Sequence, residues 1–510
     1  MAGANRYMSP IRPFHSQPWS KWIPLTVILM GGFVIRLINI QHRGIQYDDA
    51  FSVFLAQRSL GEIIRGTAAD TMPPLYYFLL HFWLKLGQSV GFLRILSVIL
   101  SLGGVAMVYF WIAEMTNPKS AFWAALLMAI SPFQYYHAQD LRNYALLLCA
   151  QLGYLFFFYR ILRGEKLSHQ NKAISWVGLV LCGVVAMYTH NVAVVGLVLP
   201  DFYLILKRKW KTLIILCLAQ SAIALAALPW LLYVPGQVAK IQAAWWQGRP
   251  GLVEWVQIPV MWVTGLPLQG TWLALGVFLG LETLALVSFV WARNRTREDG
   301  IDFLAFICGG LPLVLFIVSY LLKPIFIPRA FIVAHGAFLG LSGWAIAHQW
   351  EQGVGKLILG GFLFGAVIGL PTQAFFDQFP RSPFQQAAVD LSAEIGSGDV
   401  VVHDNKLSYF PFRFYAPSLP QEFIGDIPGS GNDTFSPGSQ AAMGIFPKPD
   451  LESAIGNSRK VYFVVFTQTI REYQDLGEAE HPSLLWLRGQ FRQVTHRFYN
   501  DLEVYAFEKP

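Results

Sequence analysis

The feature that most constrains this chain is a succession of apolar runs, each long enough to cross a bilayer. They fall at about residues 22–40, 89–113, 119–136, 143–162, 173–189, 192–206, 212–233, 271–291, 302–322, 329–348 and 356–376. Inside hydrocarbon the backbone must satisfy its own polar groups, so such runs fold as helices. The expected fold class is an α-helical polytopic membrane protein with about eleven transmembrane helices. Composition agrees. With 54% hydrophobic and 14% charged residues and a mean hydropathy of +0.43, the 510-residue chain has too little charge to cover a soluble surface.

Charge supplies an orientation. The short connectors holding Arg160, Arg163, Lys166 and Lys172, then Lys207-Arg208-Lys209 with Lys211, then Arg293, Arg295 and Arg297, are assigned to the cytoplasmic side. The connectors between them are longer and poorer in basic residues. With the polar start (Arg6, Arg12, Lys21) inside, about eleven crossings place the C-terminus outside. The first run lacks a small-residue cleavage site and reads as a retained helix. The net charge of +7 resides largely in these connectors, so it does not mark a nucleic-acid surface. The four cysteines, Cys149, Cys182, Cys217 and Cys308, lie in apolar runs without metal spacing, and no disulfide framework is expected.

After residue 376 the composition turns polar, dividing the chain into a membrane domain, 1–376, and a soluble α/β domain, 377–510. Val400-Val401-Val402 and Val461 to Phe466 read as buried strands. Ala387 to Ile395 and Tyr473 to Leu487 read as helices, and Gln493 to Phe498 and Leu502 to Phe507 as a hairpin. The stretch Gly425 to Gly444, dense in Gly, Pro and Ser, reads as a mobile loop.

The outside loops hold the chemistry. The first, about 41–88, is too long for a connector. It carries Asp48, Asp49 and Asp70, an amphipathic interfacial helix from Asp49 to Arg65, and a second helix opened by Pro73-Pro74 and ending near Lys85. Later outside loops add Asp140, Arg142, His190 and Arg329. Carboxylates beside hydrocarbon are costly and are kept there mainly for function. They can act as general bases or hold a divalent cation, and the basic residues Arg58, Lys85, Arg142 and Arg329 suit a phosphate. Transfer of a group from a lipid phosphate fits this set. So does a transporter or flippase for a lipid or amphipathic solute, although that class would spread its charges through the spans and show a repeated half.

Four elements carry a family resemblance: Tyr47-Asp48-Asp49-Ala50-Phe51; Asp70-Thr71-Met72-Pro73-Pro74-Leu75-Tyr76-Tyr77; Ser131-Pro132-Phe133 with Gln139-Asp140-Leu141-Arg142-Asn143-Tyr144; and Tyr188-Thr189-His190. In order and spacing they resemble the GT-C type membrane glycosyltransferases of family 39 and the aminoarabinose-transferase-like group. The resemblance implies a polyprenyl-phosphate-linked sugar donor and inverting transfer at the extracytoplasmic face to an acceptor that is a lipid, a glycan or a protein. It implies catalytic roles for Asp48, Asp49 and Asp140, with Asp48 activating the acceptor. Substrate contacts are implied for Arg58, Asp70, Tyr77, Lys85, Arg142, Tyr144, His190 and Arg329. No organic cofactor is implied, and a divalent metal is left open. The implied setting is a bacterial inner membrane, with membrane lipid as a further partner. Asp49 and Asp140 stand where the family commonly has Glu, and Asn191 and Ala330 stand where aromatic residues are common.

Overall fold

The computed structural model of the protein describes residues 22–163, 168–294 and 299–510. The polar start with Arg6, Arg12 and Lys21, together with Lys166, Arg295 and Arg297, lies outside the described residues.

Each apolar run is helical. The chain begins with α1 (Ile23–Leu37) and continues through three short helices, α2 (Tyr47–Ala56), α3 (Leu60–Ala69) and α4 (Leu75–Leu84). The bundle continues with α5 (Val90–Met115), α6 (Pro118–Ile130), α7 (Pro132–Ala138), α8 (Tyr144–Leu162), α9 (His169–Met187), α10 (Ala193–Leu206) and α11 (Trp210–Leu231). It closes with α12 (Val234–Ala243), α13 (Leu252–Thr264), α14 (Gly270–Asn294), α15 (Asp299–Leu321), α16 (Ile332–His348) and α17 (Val354–Ala374). Among the described residues, 8 helices are long and apolar enough to cross a membrane, fewer than the eleven runs. The other three runs form the shorter α1, α6 and α10. The run at 119–136 is cut because Ser131 caps a new helix, its Oγ accepting from Gln134 N at 3.3 Å, while Pro132 has no N–H to continue α6.

Close packing rests on small residues. A Cβ on Gly343 of α16 would lie 2.5 Å from the Ala124 nitrogen of α6. One on Gly280 of α14 would lie 2.7 Å from the Val260 nitrogen of α13. Fully buried Arg36 of α1 donates to the carbonyls of Ala129 (2.8 Å) and Met128 (3.3 Å) and to Ser101 Oγ (3.0 Å). Those carbonyls end α6 and would otherwise lack donors.

The two ends of the bundle differ. At one, Trp22 packs 5.8 Å from Phe110, Arg163 reaches the Glu114 carbonyl at 2.8 Å, and Lys207 pairs with Asp302 at 3.5 Å. The start of α1 and these basic connectors therefore share an end. Asp48, Asp49, Asp70 and Asp140 collect at the other.

There α2, α3 and α4 form a layer. The single helix expected from Asp49 to Arg65 is broken, because Ser59 and Glu62 make a capping box that starts α3 afresh. Its apolar residues divide: Leu60 and Ile64 stay exposed, while the others turn inward. Phe51 stacks 6.2 Å from Phe410, and Phe54 lies 5.7 Å from the same ring, so the layer is the floor on which the C-terminal domain sits.

That domain consists of α18 (Phe384–Ser392), β1 (Asp399–His403), α19 (Lys406–Tyr415), β2 (Gln421–Phe423), α20 (Pro437–Met443), α21 (Leu451–Ile455), β3 (Lys460–Phe466), α22 (Thr467–Asp475), α23 (Pro482–Gln490), β4 (Arg492–Tyr499) and β5 (Leu502–Glu508). Its sheet has the order β2-β1-β3-β5-β4. β1 runs parallel to β2 and β3, and β5 pairs antiparallel with β3 and β4. The continuous apolar run of β3 follows from burial on both faces. The β4–β5 hairpin turns at Asn500, whose φ is 54°. Two expectations need correction. The helix read over Tyr473 to Leu487 is two helices, separated by Gly477 at φ 89° and Pro482. The stretch Gly425 to Gly444 contains α20, which docks on α3 through Ser439 Oγ donating to the Gly66 carbonyl at 3.0 Å.

Candidate active site

Asp48 and Asp49 occupy the first turn of α2, and about 100° of helical rotation separates neighbouring side chains. One points inward and the other toward open space. Asp49 is fully buried. Its Oδ1 accepts from Leu141 N at 2.8 Å, and its Oδ2 meets Arg381 Nη1 at 3.2 Å and Arg94 Nη2 at 3.8 Å. It also closes the α2 capping box with Gln46. Asp140 is bound by the same Arg381, receives a contact from His137 Nδ1 at 3.2 Å and lies 3.9 Å from Arg43. The Tyr136 ring lies 4.6 Å from the Arg43 guanidinium and 5.2 Å from that of Arg381. Burial alone would raise the Asp140 carboxyl. The His137 hydrogen bond and the charges of Arg381 and Arg43 overcome burial and hold it down to about 2. Three arginines thus enclose two buried carboxylates.

Asp48 opens instead into a cavity of about 720 Å³. Its side chain is 31% exposed, with Arg142 Nη1 at 3.6 Å and Arg329 Nη1 at 3.8 Å. These separations exceed those of charge-assisted hydrogen bonds, so both guanidinium groups are loosely held. The Arg329 guanidinium also lies 5.9 Å from the Tyr144 ring and 5.7 Å from that of Trp246. The Tyr144 hydroxyl and the Nε atoms of Arg142 and Arg329 have no hydrogen-bond partner, which concentrates unsatisfied donors around Asp48. Asp70, at the end of α3, pairs with Lys240 of α12 at 2.8 Å.

Of the residues singled out from the sequence, Asp48, Asp70, Asp140, Arg142, Tyr144 and Arg329 line this cavity. Asp49 and Tyr77 are buried behind it. His190 is buried beside Tyr144, their ring centroids 6.0 Å apart. Its Nδ1 accepts from Val192 N at 3.1 Å, and burial, with the nearby charges of Arg329 and Arg142, lowers it to about 3, so the imidazole is neutral. Arg58 and Lys85 are not in the lining. Arg58 reaches the Met443 carbonyl and ties α2 to α20, because the Ser59 break turns it toward the C-terminal domain. Lys85 caps α4 with its Nζ 4.9 Å from the exposed Phe82 ring, a snorkelling position. Asn191 bonds the Thr71 carbonyl at 2.9 Å and Gln237 at 2.7 Å, bracing the loop that holds Asp70.

The sequence reading passed over Arg43, Arg94 and Arg381, which position Asp49 and Asp140, and Lys406 and Asp426, which line the cavity from the C-terminal domain. A signal existed for two of them. Arg43 and Arg381 directly flank the first and last apolar runs on the face that the positive-inside pattern leaves poor in basic residues. The carboxylates do not form a cation site. Asp49 and Asp140 are committed to guanidinium groups, and no group of three His, Cys, Asp or Glu side chains converges among the described residues. The donor set therefore does not fit a divalent metal.

Residues 71–233 match the family model described as dolichyl-phosphate-mannose-protein mannosyltransferase. No curated protein sequence matches the chain significantly. Among solved structures, the chain is similar to ArnT from Cupriavidus metallidurans bound to undecaprenyl phosphate, at 14% identity over 96% of this chain and 98% of that one, with a TM-score of 0.63. It is also similar to the oligosaccharyltransferase AglB from Archaeoglobus fulgidus in complex with an inhibitory peptide and a dolichol-phosphate, at 11% identity over 96% of this chain and 74% of that one, with a TM-score of 0.57. At these identities the likeness shows the fold. With the match over residues 71–233, it agrees with the resemblance read from the motifs: the chain has the fold of these membrane enzymes, and its long apolar helices mark an integral membrane protein.

Proposed function

We propose that this protein is a glycosyltransferase that moves a sugar from a polyprenyl-phosphate-linked donor to an acceptor at the extracytoplasmic face of a bacterial plasma membrane, with its N-terminus cytoplasmic and its C-terminal domain outside. The observation that carries the reading is the state of Asp48. It is a half-exposed carboxylate at a cavity wall, between two arginines that it does not tightly bind.

An arriving lipid phosphate competes with Asp48 for Arg142 and Arg329, which can offer paired N–H donors to phosphate oxygens. Releasing them frees Asp48 to accept the proton of an acceptor hydroxyl or amine. The acceptor atom then bonds to the anomeric carbon as the bond from that carbon to the phosphate oxygen breaks. The polyprenyl phosphate leaves with the electron pair, its added charge stabilised by the two guanidinium groups. One displacement inverts the anomeric configuration, and no carboxylate nucleophile is required. Of the four basic residues that suit a phosphate by sequence, Arg142 and Arg329 take that role in this scheme, and Arg58 and Lys85 do not. Asp49 and Asp140 act as positioning residues through the arginine cluster.

The test is Asp48→Asn in membranes supplied with a lipid-linked sugar donor, following release of polyprenyl phosphate. Removing a general base lowers the rate about 10²–10⁴-fold. A folded variant that releases polyprenyl phosphate at the wild-type rate refutes the role.

A further inference from the structure

The cavity has two chemically different walls. The first is built by membrane helices and their connections, where Arg142 and Arg329 share the single carboxylate of Asp48 amid apolar residues such as Met261 and Ile327. It carries excess positive charge. The second is contributed in large part by the C-terminal domain, through Asn405 and Lys406 at the start of α19 and Asp426, Asn432 and Thr434 from the chain between β2 and α20.

The Lys406 side chain is 4% exposed, and its Nζ is bonded to the Asp426 carboxylate and the Asn432 carbonyl. Lys240 pairs with Asp70 at 2.8 Å in the same cavity. Here each lysine is matched by one carboxylate, so these pairs are neutral yet dense in donors and acceptors. A buried ion pair is weak as a stabilising device, since desolvation offsets its attraction. As a binding surface it has a distinct preference. An anionic group is drawn to unmatched cations, which lie at the first wall, whereas hydroxyl groups can donate to the carboxylates and accept from the ammonium groups together.

We propose that this second wall is the acceptor subsite, and that the acceptor presents a neutral, hydroxyl-rich saccharide to it. The inference rests on the sugar-transfer reading. With the donor phosphate on Arg142 and Arg329, an inverting displacement brings the acceptor in from the side opposite the leaving phosphate. Lys406 and Asp426 then determine acceptor specificity from a domain that makes no contact with the donor phosphate.

The experiment uses the full-length protein and two variants. Asp426→Asn removes the partner of Lys406. Thr434→Trp fills the wall while leaving all four charged side chains in place, and so serves if the first fails to fold. Undecaprenyl phosphate binding is measured on purified protein, and cell-envelope glycans are analysed by mass spectrometry in cells carrying each variant. The expected result is undecaprenyl phosphate affinity within about twofold of wild type and a product glycan reduced about tenfold or more, tenfold corresponding to about 1.4 kcal/mol. Unchanged glycans in both variants, while Asp48→Asn abolishes the product, overturn the subsite and leave the transfer reading standing. Glycans unchanged by Asp48→Asn as well overturn the transfer reading itself. Parallel loss of undecaprenyl phosphate affinity in both variants assigns the wall to the donor and overturns the proposal, as does a product whose modified acceptor unit carries phosphate or carboxylate.

Discussion

Adjacent carboxylates on one helical turn meet opposite surroundings here: Asp48 faces a cavity and Asp49 a cage of guanidinium groups. The cage makes a pH prediction for its other member, Asp140. Its folded-state carboxyl is held down to about 2, against about 3.9 for an unperturbed aspartate. A depressed carboxylate contributes stability that is present above the unfolded value and lost as pH falls through the folded one. The difference in thermal stability between wild type and Asp140→Asn should therefore be constant from pH 8 to about 5 and shrink between about pH 4 and 2. A difference that stays unchanged as the pH falls from about 4 to 2 would show that Asp140 is not held by this cluster. Neutral His190 adds no titration of its own in that upper range. At this scale the sequence made the cavity carboxylate legible through the position of Asp48 beside a span. It left Arg381 illegible as a partner, because its contact with Asp140 joins positions 241 residues apart.

The helices follow from apolar runs, but their closeness depends on where side chains are absent. Two glycines of α17 make this measurable. Gly360 has no atom within 4 Å of an added Cβ, whereas at Gly369 that atom would fall 1.8 Å from the Thr264 carbonyl oxygen. Gly360→Ala should be neutral or stabilising by up to about 1 kcal/mol, reflecting the better helix propensity of alanine. Gly369→Ala should cost about 1–3 kcal/mol by forcing α17 away from the end of α13. Thermal unfolding in detergent compares them, and equal midpoints would mean that α17 and α13 do not cross this closely. Elements with strong periodicity or long apolar content were readable, including the bundle and strands β1, β3 and β5. Those decided by a single polar residue were not. Ser59 restarts a helix within an otherwise amphipathic stretch, and α20 lies in a segment whose glycines and prolines mask a short helix docked on α3.

Across the whole molecule, the cavity belongs to neither part alone. The C-terminal domain covers Phe51 and Phe54, supplies Lys406 and Asp426, and is preceded by the linker that carries Arg381. A chain ending at residue 376 should retain its apolar runs yet lose polyprenyl phosphate release and aggregate on size-exclusion chromatography. Monodisperse, active protein of that length would show the domain to be dispensable. The division of labour was not visible in composition, which separates the two parts but is silent about the polar seam between them. A different consequence attaches to Arg36. Its carbonyl partner Ala129 is 93 residues further along the chain. At about 5–20 residues per second, synthesis takes roughly 5–20 s to reach it. During that interval the guanidinium has only the Gly32 carbonyl of its own helix (3.1 Å) and then Ser101, with water and lipid headgroups supplying the rest, so α1 should stay near the bilayer boundary until the end of α6 arrives to complete the set.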